Sequence, residues 1–293
     1  MDNSPVAHLL LKRLRPFRKP SMLYHYTSGA GLIGIVDSKA VWASNIRFLN
    51  DSREYELAVE LVRTSLDARL EAARSRYDSA LYHVLLDSIG REQANDVYVT
   101  SFSRRGDQLS QWRAYCPQSG GYAIGISGSA LAKTARAHEN RFLAQCVYDR
   151  ETHQEVIEEL ITAVEAVSVE RRDAGASPDR VYREAYKLLG RLMPLVAPIL
   201  KHASFEEEAE WRLISLGSSF ENAKPQFRMG KSTLVPYFQH SLQLKDTVLP
   251  IEEVVIGPTP HPDLAREATD NLLRSRHAGA AEIRSSLIPY RAW

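Results

Sequence analysis

Two stretches, LYHYTS at residues 23–28 and EEEAEWRLI at residues 206–214, decide how this chain is interpreted. Both have the aromatic and aliphatic content of β-strands, yet each carries titratable side chains inside the strand. Alternation puts Tyr24 and Tyr26 on one face of the first strand and His25 on the other. If the fold brings the two strands together, this histidine faces a carboxylate across a pocket.

Around these stretches, strands cluster along the sequence instead of alternating strictly with helices. The predicted strands are 22–27, 41–44, 97–103, 121–126, 142–148, 209–216, 225–229, 233–238, 252–257 and 282–287. The predicted helices are 29–38, 54–77, 79–90, 109–115, 153–171, 180–201 and 262–276. This order favours an α+β fold with antiparallel or mixed sheets over a doubly wound parallel sheet.

The predicted domain organisation is one α+β domain over residues 21–293, with a helical insertion at about 153–201. Pro194 and Pro198 are expected to kink or end the second helix of that insertion. Residues 1–20 form a basic arm, with five Lys and Arg residues against Asp2. The arm could contact phosphates, or it could be a solvated tail that precedes the domain.

Composition excludes several classes of protein. The chain has 293 residues, 37 basic and 36 acidic side chains, and a net charge of +1, so its overall charge favours neither nucleic acid nor a membrane. Cys116 and Cys146 form no zinc motif. The apolar runs are too short to span a membrane, and the N-terminus lacks the order of a signal peptide. We expect a cytoplasmic protein without a metal.

Two short motifs each have two interpretations. The sequence GAGLIG at 29–34 matches GxGxxG, but the preceding strand is short and polar, which favours a closely packed helix start over a dinucleotide site. Asn50, Asp51 and Glu54 could form a metal or substrate site. They could equally begin a helix, with Asp51 or Ser52 as the N-cap.

Two further groups are candidate pocket walls. Ser103, Gln111, Trp112 and Tyr115 place polar and aromatic groups near one strand end, where they could line a pocket or belong to the core. Strand alternation puts Glu208, Glu210 and Arg212 on one face. That face could be solvated, or the arginine could hold a carboxylate ionised and aimed.

Taken as an ordered set, these motifs resemble the bacterial family named domain of unknown function 2971. The resemblance extends over about residues 22–290 and includes QWRAY at 111–115, EAEWR at 208–212 and VVIG at 254–257. The chain also resembles, more weakly, the ADP-ribosyltransferases. In that fold a histidine on an early strand binds the NAD ribose and a late strand carries a catalytic glutamate.

The second resemblance implies a split β-sandwich in which His25 and Glu210 are the catalytic pair and NAD is the substrate. In that fold a middle strand or helix supplies an aromatic or hydroxyl side chain, and Tyr115 or Ser103 takes that place here. The expected substrate-binding residues are Tyr26, Thr27, Ser28, Ser103, Gln111, Trp112, Tyr115, Glu208 and Arg212, with Asn50, Asp51 and Glu54 as a second tier. Under this hypothesis the protein is a toxin or defence effector that modifies protein or nucleic acid.

Two alternatives remain open at this point. One is a metal-assisted nuclease or hydrolase built on His25, Asp51, Glu54 and Glu210, because hard cations prefer clustered carboxylate oxygens. The other is a non-catalytic module that uses the same groups to bind a nucleotide.

Overall fold

The computed structural model describes residues 20–49, 54–89, 97–116, 120–138, 141–217, 224–230, 232–243, 248–276 and 278–290. The predicted basic arm, apart from Pro20, lies outside these ranges. Asn50, Asp51 and the side chain of Glu54 also lie outside them, so both interpretations of that motif stay predictions.

Ten strands and eight α-helices make up the described residues. The strands are β1 (Met22–Thr27), β2 (Ala40–Asn45), β3 (Val97–Ser103), β4 (Tyr122–Ser127), β5 (Arg141–Gln145), β6 (Glu210–Leu216), β7 (Gln226–Met229), β8 (Leu234–Ser241), β9 (Ile251–Ile256) and β10 (Glu282–Ser285). The helices are α1 (Gly29–Ser38), α2 (Glu54–Ala72), α3 (Arg76–Ile89), α4 (Leu109–Tyr115), α5 (Gly128–Arg136), α6 (Arg150–Asp173), α7 (Pro178–Val196) and α8 (Pro262–Ser275).

The strands form one sheet in the order β10-β9-β4-β1-β3-β2-β8-β7, and β6 pairs with β3 and β5. β1 is antiparallel to β3 and β4, and β2 and β7 are antiparallel to β8. β9 and β10 are parallel. The predicted α+β class with a mixed, mostly antiparallel sheet is therefore confirmed.

The chain divides into two compact units. The sheet unit comprises residues 16–44, 98–144 and 207–293. Its core is an aliphatic and aromatic cluster from both sheet and helices that includes Leu23, Phe102, Ile124, Trp211 and Leu213. Each of these side chains is buried, and their burial supplies the main drive for folding of this unit.

The described residues of the helical unit fall within 45–97 and 145–206. In it α2 packs on α3 and α6, and α7 packs on α3 and α6. The predicted insertion helices are thus part of a four-helix packing arrangement. Pro194 lies inside α7, which ends two residues later, and Pro198 lies in a 3-10 turn at Ala197–Ile199. None of the helices that the structure describes is long and apolar enough to cross a membrane.

Side-chain caps set two helix boundaries. Ser28 accepts a hydrogen bond from Gly31 N and begins α1, which agrees with the helix-start interpretation of the glycine motif. The predicted helix over 54–77 is instead divided at residues 73–75. There Ser75 accepts from Asp78 N and donates to the Asp78 carboxylate, so a new helix begins at Arg76.

Candidate functional site

A pocket of about 60 Å³ opens within the sheet unit. Its lining residues come from β1, β3, α4 and the start of β6: Tyr24, His25, Tyr26, Ser101, Phe102, Ser103, Gln111, Tyr115, Glu208 and Glu210. The early histidine and the late glutamate therefore line the same cavity. They are brought together because β3 pairs with both β1 and β6.

The pairing of β1 explains how a strand histidine reaches this pocket. All six residues of β1 pair with β4, whereas in the described residues its registered pairing with β3 is Tyr24 with Ser103. The Ser101 carbonyl accepts a hydrogen bond from the imidazole, with Nδ1 and the oxygen 2.9 Å apart. A side chain thus occupies a place that a backbone donor would take in a continuous ladder.

The hydrogen bond to Ser101 also determines what His25 can do. A carbonyl only accepts, so Nδ1 carries the proton and Nε2 of the neutral ring keeps a lone pair. Burial lowers the pKa of His25 below 6.5, and the positive charge of Arg228 lowers it further. The imidazole is therefore neutral near pH 7, with Nε2 ready to accept a hydrogen bond from a hydroxyl group.

The second key group is the carboxylate of Glu210, at the first position of β6. Arg212 Nε donates to Oε1 at 2.8 Å and Nη2 donates to Oε2 at 3.1 Å. Glu210 is 4% exposed and Arg212 1% exposed, so this pair does not lie on a solvated face. A buried two-point pair of this kind keeps the carboxylate ionised and fixes its orientation.

The prediction that Glu208 shares a strand face with Glu210 is wrong. Glu208 ends a 3-10 turn over Ala203–Glu208, and Ala209 has φ of 44°, in the left-handed region. This kink precedes β6, so strand alternation does not apply to Glu208. Glu208 lines the pocket from the turn, and its carbonyl accepts a hydrogen bond from Ser103 Oγ at 2.7 Å.

The loop after β3 fixes this kink from the other side. Arg104 N donates to Ala209 O at 3.1 Å, and Gln108 Nε2 donates to Glu207 O at 2.7 Å. Ser103 Oγ also accepts from Arg105 N. These contacts position the first residue of β6 relative to β3, which sets where the Glu210 carboxylate lies in the pocket.

The candidate residues on α4 have two roles: two of them line the pocket, and one packs behind it. Gln111 and Tyr115 line the pocket, as predicted for a wall, but Trp112 does not. Its ring packs edge-on against Tyr26 with centroids 4.7 Å apart, and its Nε1 donates to Asp107 at 2.8 Å. Trp112 therefore supports the pocket from the core, as the alternative interpretation of its helix face expected.

Thr27, Ser28 and Arg212 also lie outside the lining. Ser28 caps α1, and the Thr27 carbonyl accepts a weak hydrogen bond from the Cys116 thiol. Burial raises the pKa of Cys116 to about 12, so this thiol is protonated and unreactive near neutral pH. Arg212 acts on the site through its pair with Glu210.

Tyr24, Ser101 and Phe102 also line the pocket, although none of them was a predicted site residue. Tyr24 lies beside Glu253, which forms an ion pair with Arg284. Burial and, next, the hydrogen bond to Glu253 raise the pKa of Tyr24 to about 12. Its position beside His25 was visible in the sequence, but its carboxylate partner on β9 was not.

Within the described ranges, no three or more His, Cys, Asp and Glu side chains form a group that could hold a metal ion. Asp51 and the Glu54 side chain lie outside those ranges, so the metal-assisted hydrolase stays a hypothesis. The structure does bring together a neutral imidazole and an arginine-paired carboxylate. These groups suit hydrogen bonding and charge stabilisation of an organic substrate.

This α+β arrangement with a histidine–glutamate pocket can now be compared with known proteins. Residues 111–213 match the family model described as "Protein of unknown function (DUF2971)". The match confirms the resemblance to that family over this part of the chain, which includes Glu210 and Arg212. No curated protein and no solved structure matches the chain, and the resemblance to ADP-ribosyltransferases stays a prediction.

Proposed function

We propose that this protein cleaves the nicotinamide–ribose bond of NAD and transfers ADP-ribose to a protein or nucleic-acid acceptor. The observation that carries the proposal is that His25 and Glu210, predicted from separate strands, line one pocket. A neutral acceptor nitrogen and an anchored carboxylate are the two groups that this chemistry requires.

His25 would bind the substrate. The lone pair on Nε2 accepts a hydrogen bond from a ribose hydroxyl, and the bond from Nδ1 to Ser101 O holds the ring in that orientation. Since the pKa of His25 is lowered, the ring does not place a positive charge next to the cation that develops on the ribose.

Glu210 would stabilise the transition state. As the bond breaks, nicotinamide leaves with the electron pair and the ribose becomes oxocarbenium-like. A fixed carboxylate next to that charge supplies about 3–4 kcal/mol, roughly a hundredfold to a thousandfold in rate. The acceptor's oxygen or nitrogen then attacks the anomeric carbon and releases a proton.

The size of the pocket limits what it encloses. Sites that enclose a drug-sized ligand have roughly 300–1,000 Å³, whereas this pocket has about 60 Å³. The pocket therefore encloses only part of a dinucleotide, and the rest would extend over the neighbouring surface.

Nicotinamide release from labelled NAD, with a pool of protein and nucleic-acid acceptors present, tests the proposal. The wild type should release nicotinamide, and Glu210→Gln should lower the rate at least about a hundredfold. Glu252→Gln, an exposed glutamate on β9, is the matched control and should have the wild-type rate.

Because Glu210→Gln leaves Arg212 buried without its carboxylate, thermal unfolding must accompany the assay. His25→Gln is a second variant that leaves this ion pair intact, and it should raise KM for NAD. A folded wild type that binds NAD without releasing nicotinamide would instead be the non-catalytic nucleotide-binding module.

A further inference from the structure

A second group of polar and aromatic side chains lies on β2, β8 and β7. In the antiparallel registers Ser44 pairs with Tyr237, and Tyr237 pairs with Gln226. Paired residues share a sheet face, and so do residues two apart on one strand. Trp42, Ser44, Tyr237 and Arg228 therefore occupy the same face, and we call them the Arg228 surface.

Within the described ranges, the guanidinium group of Arg228 has no carboxylate as a partner. Its side chain crosses β8, and Nη2 donates to Ser44 Oγ at 3.1 Å. Among the residues that the structure describes, Arg228 forms no ion pair with a carboxylate. The group is half-buried, and burial lowers its pKa. A partly desolvated cation that bonds only a neutral hydroxyl is stabilised when an anion binds.

An exposed aromatic ring lies on the same face. Trp42 is 41% exposed, although it is a large apolar side chain on a strand. Its ring lies over Tyr237, with centroids 4.5 Å apart and planes 32° from parallel. The pair orients the indole and leaves much of it accessible, which is how a side chain offers a stacking surface to a planar ring.

The Arg228 surface adjoins the pocket. β2 lies beside β3 in the sheet, and β3 carries Ser101 and Ser103 of the pocket lining. The charge of Arg228 also acts on His25, so the two groups are within electrostatic reach of each other. A ligand that extends out of the pocket could therefore meet the guanidinium group.

We propose that the Arg228 surface is a nucleotide subsite, in which Arg228 and Ser44 bind a phosphate and Trp42 stacks on the base. This inference rests on the proposed function, since it assigns the ADP-ribose part of NAD to a surface that continues from the pocket. It also explains how a site with such a small pocket could bind a whole dinucleotide.

Calorimetric titration of the full chain with ADP-ribose and with adenosine tests the subsite. Arg228→Gln should weaken ADP-ribose binding about tenfold to a hundredfold, because a charge-assisted hydrogen bond is lost, and should leave adenosine binding unchanged. Arg228→Lys should restore part of the affinity. Arg274→Gln, which removes an exposed arginine from α8, is the control and should match the wild type.

Trp42→Ala should weaken both ligands about tenfold through the loss of stacking. Each variant should unfold at the wild-type temperature within a few degrees, since Trp42 is exposed and Arg228 is only half-buried. If ADP-ribose does not bind to the wild type, or binds equally to Arg228→Gln, the subsite is overturned.

These results are separable from the proposed function. Nicotinamide release with an unchanged KM for NAD in Arg228→Gln would overturn the subsite and leave the catalytic proposal standing. ADP-ribose binding that depends on Arg228, without nicotinamide release by the wild type, would support the subsite and overturn the catalytic proposal.

Discussion

At the scale of single residues, the roles of two glycines in α1 differ through their neighbours. A Cβ added at Gly31 would lie 1.8 Å from Thr27 Oγ1, whereas a Cβ at Gly34 would meet nothing within 4 Å. Gly31 therefore permits the close approach of α1 to the end of β1, and Gly34 is a helix residue without such a packing role.

The glycine pair gives a matched prediction. Gly31→Ala should lower the free energy of unfolding by about 1–3 kcal/mol, because Thr27 or α1 must shift. Gly34→Ala should raise it by about 0.5–1 kcal/mol, because alanine favours the helix. Urea denaturation measures both, and equal effects of the two substitutions would show that Gly31 is not a packing constraint.

Some contacts of single residues could be predicted from the sequence, and others could not. The pairing of Glu210 with Arg212 follows from their spacing on one strand, and the sequence predicted it. The role of Trp112 does not follow from spacing, because its Nε1 partner Asp107 lies in a loop. Arg228 was missed because its hydrogen bond joins residues 184 positions apart, which no local pattern reveals.

At the scale of secondary-structure elements, a partly buried ionic network joins α2, α3 and α6 in the helical unit. Arg69 on α2 donates to Glu158 and Glu165 on α6 at 2.6 and 2.9 Å. Ser65 also donates to Glu158, and Tyr82 on α3 donates to Glu165. The network determines which helix faces meet, because any other register leaves its charges unpaired.

We predict a large difference between Arg69 and an exposed arginine. Arg69→Ala should lower the free energy of unfolding by about 2–4 kcal/mol, since two carboxylates lose their counter-charge. Arg180→Ala should lower the free energy of unfolding by less than about 0.5 kcal/mol, because the Arg180 side chain is 62% exposed in its pair with Glu184. Chemical denaturation measures the free energy of unfolding of both variants, and similar decreases would contradict a partly buried network.

The predicted boundaries agree with the structure for α1, β3 and α4. Two helices were predicted here, but the break was placed near residue 78 instead of at 73–75, because residues 73–75 contain neither glycine nor proline. There the hydrogen bonds between Ser75 and Asp78 set where the second helix begins. The kink at Ala209 was missed for a similar reason: alanine rarely adopts positive φ, and contacts from the loop after β3 impose it.

At the scale of the whole molecule, stability depends on two histidines, the buried His240 and the partly buried His25, whose pKa values are lowered in the folded protein. His240 contacts Ser215 Oγ at 2.7 Å, and Ser215 accepts a hydrogen bond from Arg141. Burial, followed by the charge of Arg141, lowers the pKa of His240 well below 6.5. The pKa of His25 is lowered as well, so folding disfavours protonation of both rings.

The sign of the pH dependence follows from proton binding. As the pH falls below about 6.5, the unfolded chain binds protons on both histidines more readily than the folded protein does. The free energy of unfolding should therefore fall with the pH, by at most about 1.4 kcal/mol per pH unit for each histidine. Urea denaturation between pH 5 and pH 7.5 should show this slope, and His240→Gln should reduce it by about half. A flat profile would contradict the neutral, buried state.

The ion pair of Glu210 and Arg212 has a consequence for how the site can change. Both partners belong to one short segment, so the anchor of the carboxylate moves with it during any displacement of the surrounding loops. Variation in the remaining walls can alter which molecules enter without turning the acidic group away. An engineer could thus randomise Gln111 and Tyr115 to seek new specificities while leaving that two-residue unit untouched.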